Sequence, residues 1–191
     1  MADNGVMSEL FPSPAADFDH PLDILDGCHE RIRRQCRLIE RIRSHMLARG
    51  ADTEARDAAR AVIRYFDTAG ANHHRDEEDD LFPALERTAR GASHAALQAL
   101  LARLRGEHAA LEASWVDMRA SLLEVAEGRD ISLEASAVRA FAGAYERHIA
   151  IEESQLLPLA REMLDPAQTA RLGARMAERR GVKRAPRGSA A

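Results

Sequence analysis

The chain has 191 residues, a formal net charge of −4, 46% hydrophobic and 30% charged residues. These values exclude a disordered chain and predict one domain with a sizeable core. Ala, Leu, Arg and Glu are abundant and aromatic residues make up only 4%, which favours helices over strands. Interleaved acids and bases argue against a nucleic-acid partner. Because no apolar run reaches the roughly 18 residues of a membrane span and no leader is evident, we expect a cytoplasmic protein without a membrane partner.

Residues typical of helix ends divide the chain into predicted helices. Residues 1–19 are rich in Pro, Asp and Ser and predict a flexible arm that ends at His20-Pro21. Glycines predict three helix ends: Gly50, Gly91 and Gly128. Candidate N-caps follow them: Asp52 or Thr53, Ser93, and Asp130 or Ser132. The predicted long helices span about 20–48, 54–90, 94–127 and 132–163, and residues 164–191 are predicted to form a short helix, opened by Asp165-Pro166, and a disordered basic tail.

Apolar residues recur at steps of three and four along each long helix, and the loops are short. This pattern predicts an all-α, antiparallel up-down-up-down four-helix bundle over 20–163 with a short extra C-terminal helix. The third helix has the clearest stripe: Leu97, Leu101, Leu104, His108, Leu111, Trp115, Met118, Leu122 and Val125. The fourth continues past Tyr145 with His148, Glu152, Leu156, Leu159 and Met163, and the second contains Phe66, Ala69, His73, Glu77 and then Leu81 or Asp80.

Each long helix therefore places one histidine on its apolar face, and two helices add a glutamate one turn later. The histidines are His29, His73, His108 and His148, and the glutamates are Glu77 and Glu152. Buried imidazoles and carboxylates are unfavourable unless they bind something. His and Glu at i and i+4 project from one helix face, so both can reach the same interior volume. Imidazole with carboxylate suits iron, manganese or zinc, and six such residues suit two metal ions better than one.

An internal repeat supports this interpretation. Residues 73–83 and 148–158 share the pattern H-x-x-x-E-E-x-x-L-[F/L]-P, and each copy follows a helix with a single core histidine. Each helical hairpin thus supplies His and then His-x-x-x-Glu. The sequence predicts a site with pseudo-twofold symmetry.

Over about residues 20–163 the sequence resembles the hemerythrin-like (HHE cation-binding) family. The resemblance rests on Gly27-Cys28-His29-Glu30, on Gly106-Glu107-His108 and on the two repeats. It implies a non-heme di-iron centre in a four-helix bundle, with the two glutamates bridging two Fe ions and the histidines as terminal ligands. Oxygen-carrying members have His-x-x-x-His on the third helix and an Asp after the last His, whereas this chain has His108 with Glu112, and Glu152. It is more similar to members associated with iron-sulfur repair, nitric oxide and iron sensing.

Three residues beside the six candidates each allow two interpretations. Glu112 lies one turn after His108 and could reach the site, but it lies beside the apolar stripe, so a solvated charge is favoured. His74 and Glu78 adjoin candidate ligands on a neighbouring face, where a surface position is favoured over a contact that supports the ligands. Cys28 and Cys36, eight residues apart on one helix, are too distant for a disulfide and are predicted to be free packing residues.

Three functions follow from these patterns. The preferred one is a di-iron protein, with Zn or Mn as substitutes, that binds or senses a small diatomic ligand (O₂ or NO) or handles iron. The second is a di-iron redox enzyme of the peroxidase, nitric oxide reductase or iron-sulfur-repair type, although no dedicated substrate pocket is evident. The third is a metal-free helical interaction module.

Overall fold

The computed structural model describes residues 17–182, apart from the side chains of residues 92 and 93, and this part of the chain is helical without strands. Helices α1 (Pro21–Arg49), α3 (Ala92–Ala126) and α5 (Pro166–Arg179) are regular. Helices α2 (53–88) and α4 (135–163) are continuous but contain wider turns. The all-α prediction is confirmed. Residues 1–16 of the predicted arm and 183–191 of the predicted tail lie outside the described residues.

The four long helices form a closed ring of neighbours. Helix α1 packs against α2 and α4, and α3 packs against the same two helices. Helix α5 packs against α1 and against residues 76–81 of α2. This is the arrangement expected of an antiparallel bundle with short connections. Within residues 17–182, no helix combines the length and the apolar character that a membrane crossing requires.

Three π-helical turns interrupt the α-helical periodicity of the two repeat-bearing helices. They span Phe66–Gly70 and Asp76–Leu81 in α2, and Glu152–Leu156 in α4. A π-turn carries one extra residue, so positions after it rotate relative to a regular helix. Such turns recur at functional sites, and two of these three contain a predicted ligand.

The π-turns explain where the predicted apolar stripes fail. In α4 the prediction placed Leu159 in the core, but Leu157 and Ala160 are fully buried and Leu159 is only half-buried. In α2, likewise, Gly70 is buried in place of Ala69. A regular step of three or four cannot anticipate the extra residue.

Two of the predicted N-caps are wrong. Helix α3 begins at Ala92 with Gly91, at a φ of 63°, in the N-cap position. Helix α4 begins at Ala135, after Glu134. Asp130 is engaged elsewhere, because its carboxylate accepts a hydrogen bond of 2.6 Å from the backbone N–H of Ala51 in the loop between α1 and α2. Asp52 caps α2 as predicted, accepting from the Ala55 N–H at 3.0 Å.

Two apolar clusters fill the bundle, one on each side of a polar layer. The upper cluster lies at the end of the bundle that holds the loop between α1 and α2. It includes an aromatic group in which the Phe66 ring lies 4.7 Å from the Trp115 ring and 5.4 Å from the Phe141 ring, centroid to centroid. The lower cluster includes Leu25 and, unexpectedly, Phe18, a residue of the predicted flexible arm that is 9% exposed. The polar residues between these clusters are therefore shielded from water.

Candidate metal centre

The six predicted site residues meet in the layer between the two apolar clusters. Helix α1 contributes one, α2 two, α3 one and α4 two, and none is more than 2% exposed. They are His29, His73, Glu77, His108, His148 and Glu152.

These residues form two groups that share both glutamates. In one group, donor atoms of His29, His73, Glu77 and Glu152 lie within 4.8 Å of one another. In the other, donor atoms of His108, His148, Glu77 and Glu152 do so. We call these the first position and the second position.

Each shared carboxylate presents one oxygen to each position. Glu152 Oε2 lies 3.1 Å from His29 Nε2, and Glu152 Oε1 lies 2.9 Å from His148 Nε2. Glu77 Oε1 lies 3.9 Å from His73 Nε2, and Glu77 Oε2 lies 3.4 Å from His108 Nε2. A carboxylate arranged in this way can contact two cations at once.

Most of the donor atoms that face the interior lack hydrogen-bond partners; the exceptions are Nε2 of His108 and of His148, which lie 3.0 Å apart. Among the described residues, none donates a hydrogen bond of acceptable geometry to either oxygen of Glu77 or Glu152, and Nε2 of His29 and of His73 are also without one. Burying a carboxylate in this way is strongly unfavourable unless a cation compensates it. Imidazole nitrogens with carboxylate oxygens are donors that iron, manganese and zinc accept, so these residues fit a metal pair.

The sequence comparisons agree with this geometry. The family model of the hemerythrin HHE cation-binding domain matches residues 20–160. The chain belongs to this hemerythrin family. An uncharacterized protein of Haemophilus influenzae is 28% identical over 177 residues, which is 93% of this chain and 99% of that protein. Family membership and the His/Glu groups together identify a metal-binding, hemerythrin-like protein.

Three histidines of this hemerythrin-like site contact a glutamate on another helix through their outer nitrogen. The Nδ1 atoms lie 3.2 Å from Glu153 for His29, 2.7 Å from Glu78 for His108 and 3.0 Å from Glu107 for His148. Because a carboxylate only accepts, Nδ1 carries a proton, and Nε2 is the nitrogen that offers its lone pair to the interior once the imidazole is neutral. The Glu78 side chain is 37% exposed and also contacts a candidate ligand, which is the less favoured of the two predictions for it. Two sequence features pointed to these contacts: the second Glu of both repeats and the Glu before His108.

The fourth histidine, His73, has a thiol beside it instead of a carboxylate. Burial by itself would raise the pKa of the Cys28 thiol, but the neighbouring His73 and Arg31 outweigh it and lower the pKa to about 7. Arg31 Nη2 donates to Cys28 Sγ at 3.2 Å. Cys28 and Cys36 are both buried and free, as predicted.

The electrostatics of the hemerythrin-like site are dominated by burial and by the proximity of the two carboxylates. Burial raises the pKa of Glu77, and the charge of Glu152 adds to the increase. Burial acts on Glu152 in the same direction, but the close contacts with the four surrounding histidines outweigh it and hold its pKa well below the usual range. Burial lowers the pKa of His108, whereas Glu152 and Glu77 raise it to about 10. A metal ion must displace such protons, so binding is expected to release them.

A fifth imidazole lies against the second position. His74, which the sequence placed on the surface, is 5% exposed, and its ring is stacked on that of His108 with centroids 4.1 Å apart. The surface assignment is wrong because α2 also presents the residue after His73 to α3. Glu112 is exposed as predicted, and its Oε1 lies 3.7 Å from His74 Nδ1.

Proposed function

We propose that this protein holds a non-heme di-iron centre. His29 and His73 would bind one iron ion at the first position, and His108 and His148 the other at the second position. Glu77 and Glu152 would bridge the two ions. The observation that carries this proposal is that each buried carboxylate presents one oxygen to each pair of histidines.

Iron is the proposed metal because the donor set suits it and because iron is what the family resemblance implies. Zinc and manganese accept the same donors and are the expected substitutes. Free, buried thiols are consistent with action in the cytoplasm, where thiols stay reduced.

We propose that the bound ligand is a small diatomic molecule, O₂ or NO. Two imidazoles and two shared carboxylates leave each iron ion with open positions, and an iron pair with open positions supplies redox-active binding of such ligands. The protein residues hold and orient the donors, and the apolar clusters above and below exclude water and larger molecules. The enclosure favours ligand binding or sensing over turnover of a bulky substrate.

The test is elemental analysis of the purified protein together with visible spectra of the iron-loaded form before and after air, azide and nitric oxide. We expect about two iron ions per chain and charge-transfer bands that change with azide or nitric oxide. Reversible binding of O₂ or NO would support a carrier or sensor, whereas consumption of the ligand would support the redox-enzyme alternative. No bound metal, or one zinc ion without visible bands, would contradict the proposal.

A further inference from the structure

The pseudo-twofold symmetry of the site is broken by the residue that follows each repeat histidine. In the first repeat this residue is His74, and in the second it is Ile149. Both are buried, at 5% and 0% exposure. One half of the site therefore has an additional polar side chain where the other half has an apolar one.

His74 lies beside the second position but outside the ring of donors described above. Its donor atom is within 4.8 Å of donor atoms of His108 and His148. Among the described residues, no donor group combines His74 with either shared carboxylate. Its ring is also nearly parallel to that of His108, with 11° between the planes. The lone pair of an imidazole nitrogen lies in the plane of its ring, so one metal ion cannot lie in the planes of both stacked rings.

No described residue fixes the proton of His74 on its Nδ1 atom. Nδ1 lies 3.7 Å from Glu112 Oε1, whereas Nδ1 of His108 lies 2.7 Å from Glu78. Nδ1 of His74 is buried, and no described residue forms a hydrogen bond with it. The tautomer with the proton on Nε2 is therefore open to His74, and this N–H can donate to a ligand. A buried imidazole without a structural hydrogen bond is uncommon unless it serves a ligand.

A surface groove shares one lining residue with the surroundings of His74. The groove, of about 490 Å³, lies between α1 and α4 and is lined by residues that include Cys36 and Tyr145. The Tyr145 ring is 6.4 Å from the His74 ring, centroid to centroid. Tyr145 therefore lies beside both the groove and His74.

We propose that His74 is the hydrogen-bond partner of the small ligand bound at the second position. This inference rests on the proposed function and adds an asymmetry to it: the His108/His148 position, with His74 beside it, takes the external ligand in preference to the His29/His73 position. His74 is a positioning residue for the ligand and not a metal ligand.

The test measures azide affinity of the iron-loaded protein by visible titration, with iron counted in every sample. His74→Phe keeps a ring stacked on His108 and removes both nitrogens, and His74→Leu is the second variant should Phe not fold. Ile149→Val, the same position of the other repeat, is the matched control. We expect two iron ions in all of these proteins and a Kd for azide raised about tenfold in the His74 variants only, which corresponds to about 1.4 kcal/mol.

An isotope experiment supplies an independent measurement. The vibrational bands of bound azide should shift in D₂O for the wild type and for Ile149→Val, but not for His74→Phe. Two iron ions with unchanged azide affinity would overturn this inference alone. A fall to one iron ion in the His74 variants would show that His74 is a ligand and would also overturn it. Fewer than two iron ions in the wild type would instead contradict the proposed function.

Discussion

At the scale of single residues, each Glu-Glu pair of the repeats serves two helices. In the first repeat, Glu77 faces the interior while Glu78 reaches the outer nitrogen of His108 on α3. In the second, Glu152 faces the interior while Glu153 reaches His29 on α1. An outer carboxylate fixes the ring orientation and raises the basicity of a ligating imidazole. The second glutamate is therefore expected to tune metal affinity although it does not contact the metal.

Replacing Glu78 tests this role. Glu78→Gln should lower the affinity for the more weakly held metal ion about 10- to 100-fold, because an amide is a weaker acceptor for the His108 N–H. Competition with a chromophoric chelator measures the affinity. Asp79→Asn removes an adjacent carboxylate that is 54% exposed and pairs only with arginines, and it should leave the affinity unchanged. Equal affinities in the two variants would contradict the role of Glu78.

Replacing His29 tests the ligand set itself. His29→Ala removes the only imidazole that α1 contributes to the site, so metal content after gel filtration should fall from about two ions per chain towards one. His45→Ala is the control on the same helix, since His45 pairs with Asp52 at 2.9 Å near the end of α1. Undiminished metal content in His29→Ala would show that the proposed ligand set is wrong.

At the scale of the elements, helix α5 anchors the π-turn that carries Glu77. Asp76, fully buried at the start of that turn, pairs with Arg179 of α5 and with Arg180, the residue after α5, and Arg180 Nη2 lies 2.6 Å from Asp76 Oδ2. The corresponding residue of the second repeat is Ile151, which is apolar. The two Glu-bearing turns are thus held by different interactions, one ionic and one apolar.

The anchor is expected to contribute to stability. Asp76→Ala removes the carboxylate that pairs with Arg180 and leaves Arg179 with Asp79 and Asp80 alone. Removing one member of a buried ion pair costs about 3 kcal/mol of unfolding free energy. Urea denaturation measures this loss. Arg175→Ala, at an arginine that is 59% exposed and pairs with Asp80 at 3.4 Å, should cost less than about 1 kcal/mol. Similar losses in both variants would contradict an anchoring role for Asp76.

The end of α1 depends on a glycine for two separate reasons. Gly50 has a φ of 70°, and a Cβ atom there would lie 2.6 Å from Asp130 Oδ1, the group that holds the following loop. Gly91 has a φ of 63°, but a Cβ atom there would meet nothing within 4 Å. Gly91→Ala should therefore cost only the backbone term of about 1–2 kcal/mol, and Gly50→Ala should cost more. Equal losses in thermal or urea unfolding would show that the contact with Asp130 is unimportant.

At the scale of the whole molecule, the proposed metal centre would join all four long helices in the polar layer between the two apolar clusters. A metal bound only by the folded chain stabilises it by mass action, by about 2.7 kcal/mol when its concentration is 100 times Kd. We expect removal of metal by a chelator to lower the Tm of the wild type by several degrees. Lowering the pH should weaken metal binding in the same way, because His ligands must lose their protons before they bind.

A double variant separates this role from the metal-free alternative. His73→Leu with Glu77→Ala should lose metal, and its Tm should not respond to the chelator. In the metal-loaded state it should melt below the wild type. A double variant that is more stable than the metal-loaded wild type, with no other change, would favour a helical interaction module.

The amino-acid sequence by itself determined the helix number, the bundle and the six residues that meet between its apolar clusters, because periodicity and an internal repeat indicate which side chains share a helix face. Whether those six residues bind metal stays a prediction. Only the tertiary structure decided the rest. The π-turns moved Leu157 into the core in place of Leu159, since the extra residue of such a turn has no sequence period. The burial of His74 and the contact of Glu78 with His108 depend on how closely α2 and α3 pack, and a pattern within one helix cannot specify a distance to its neighbour.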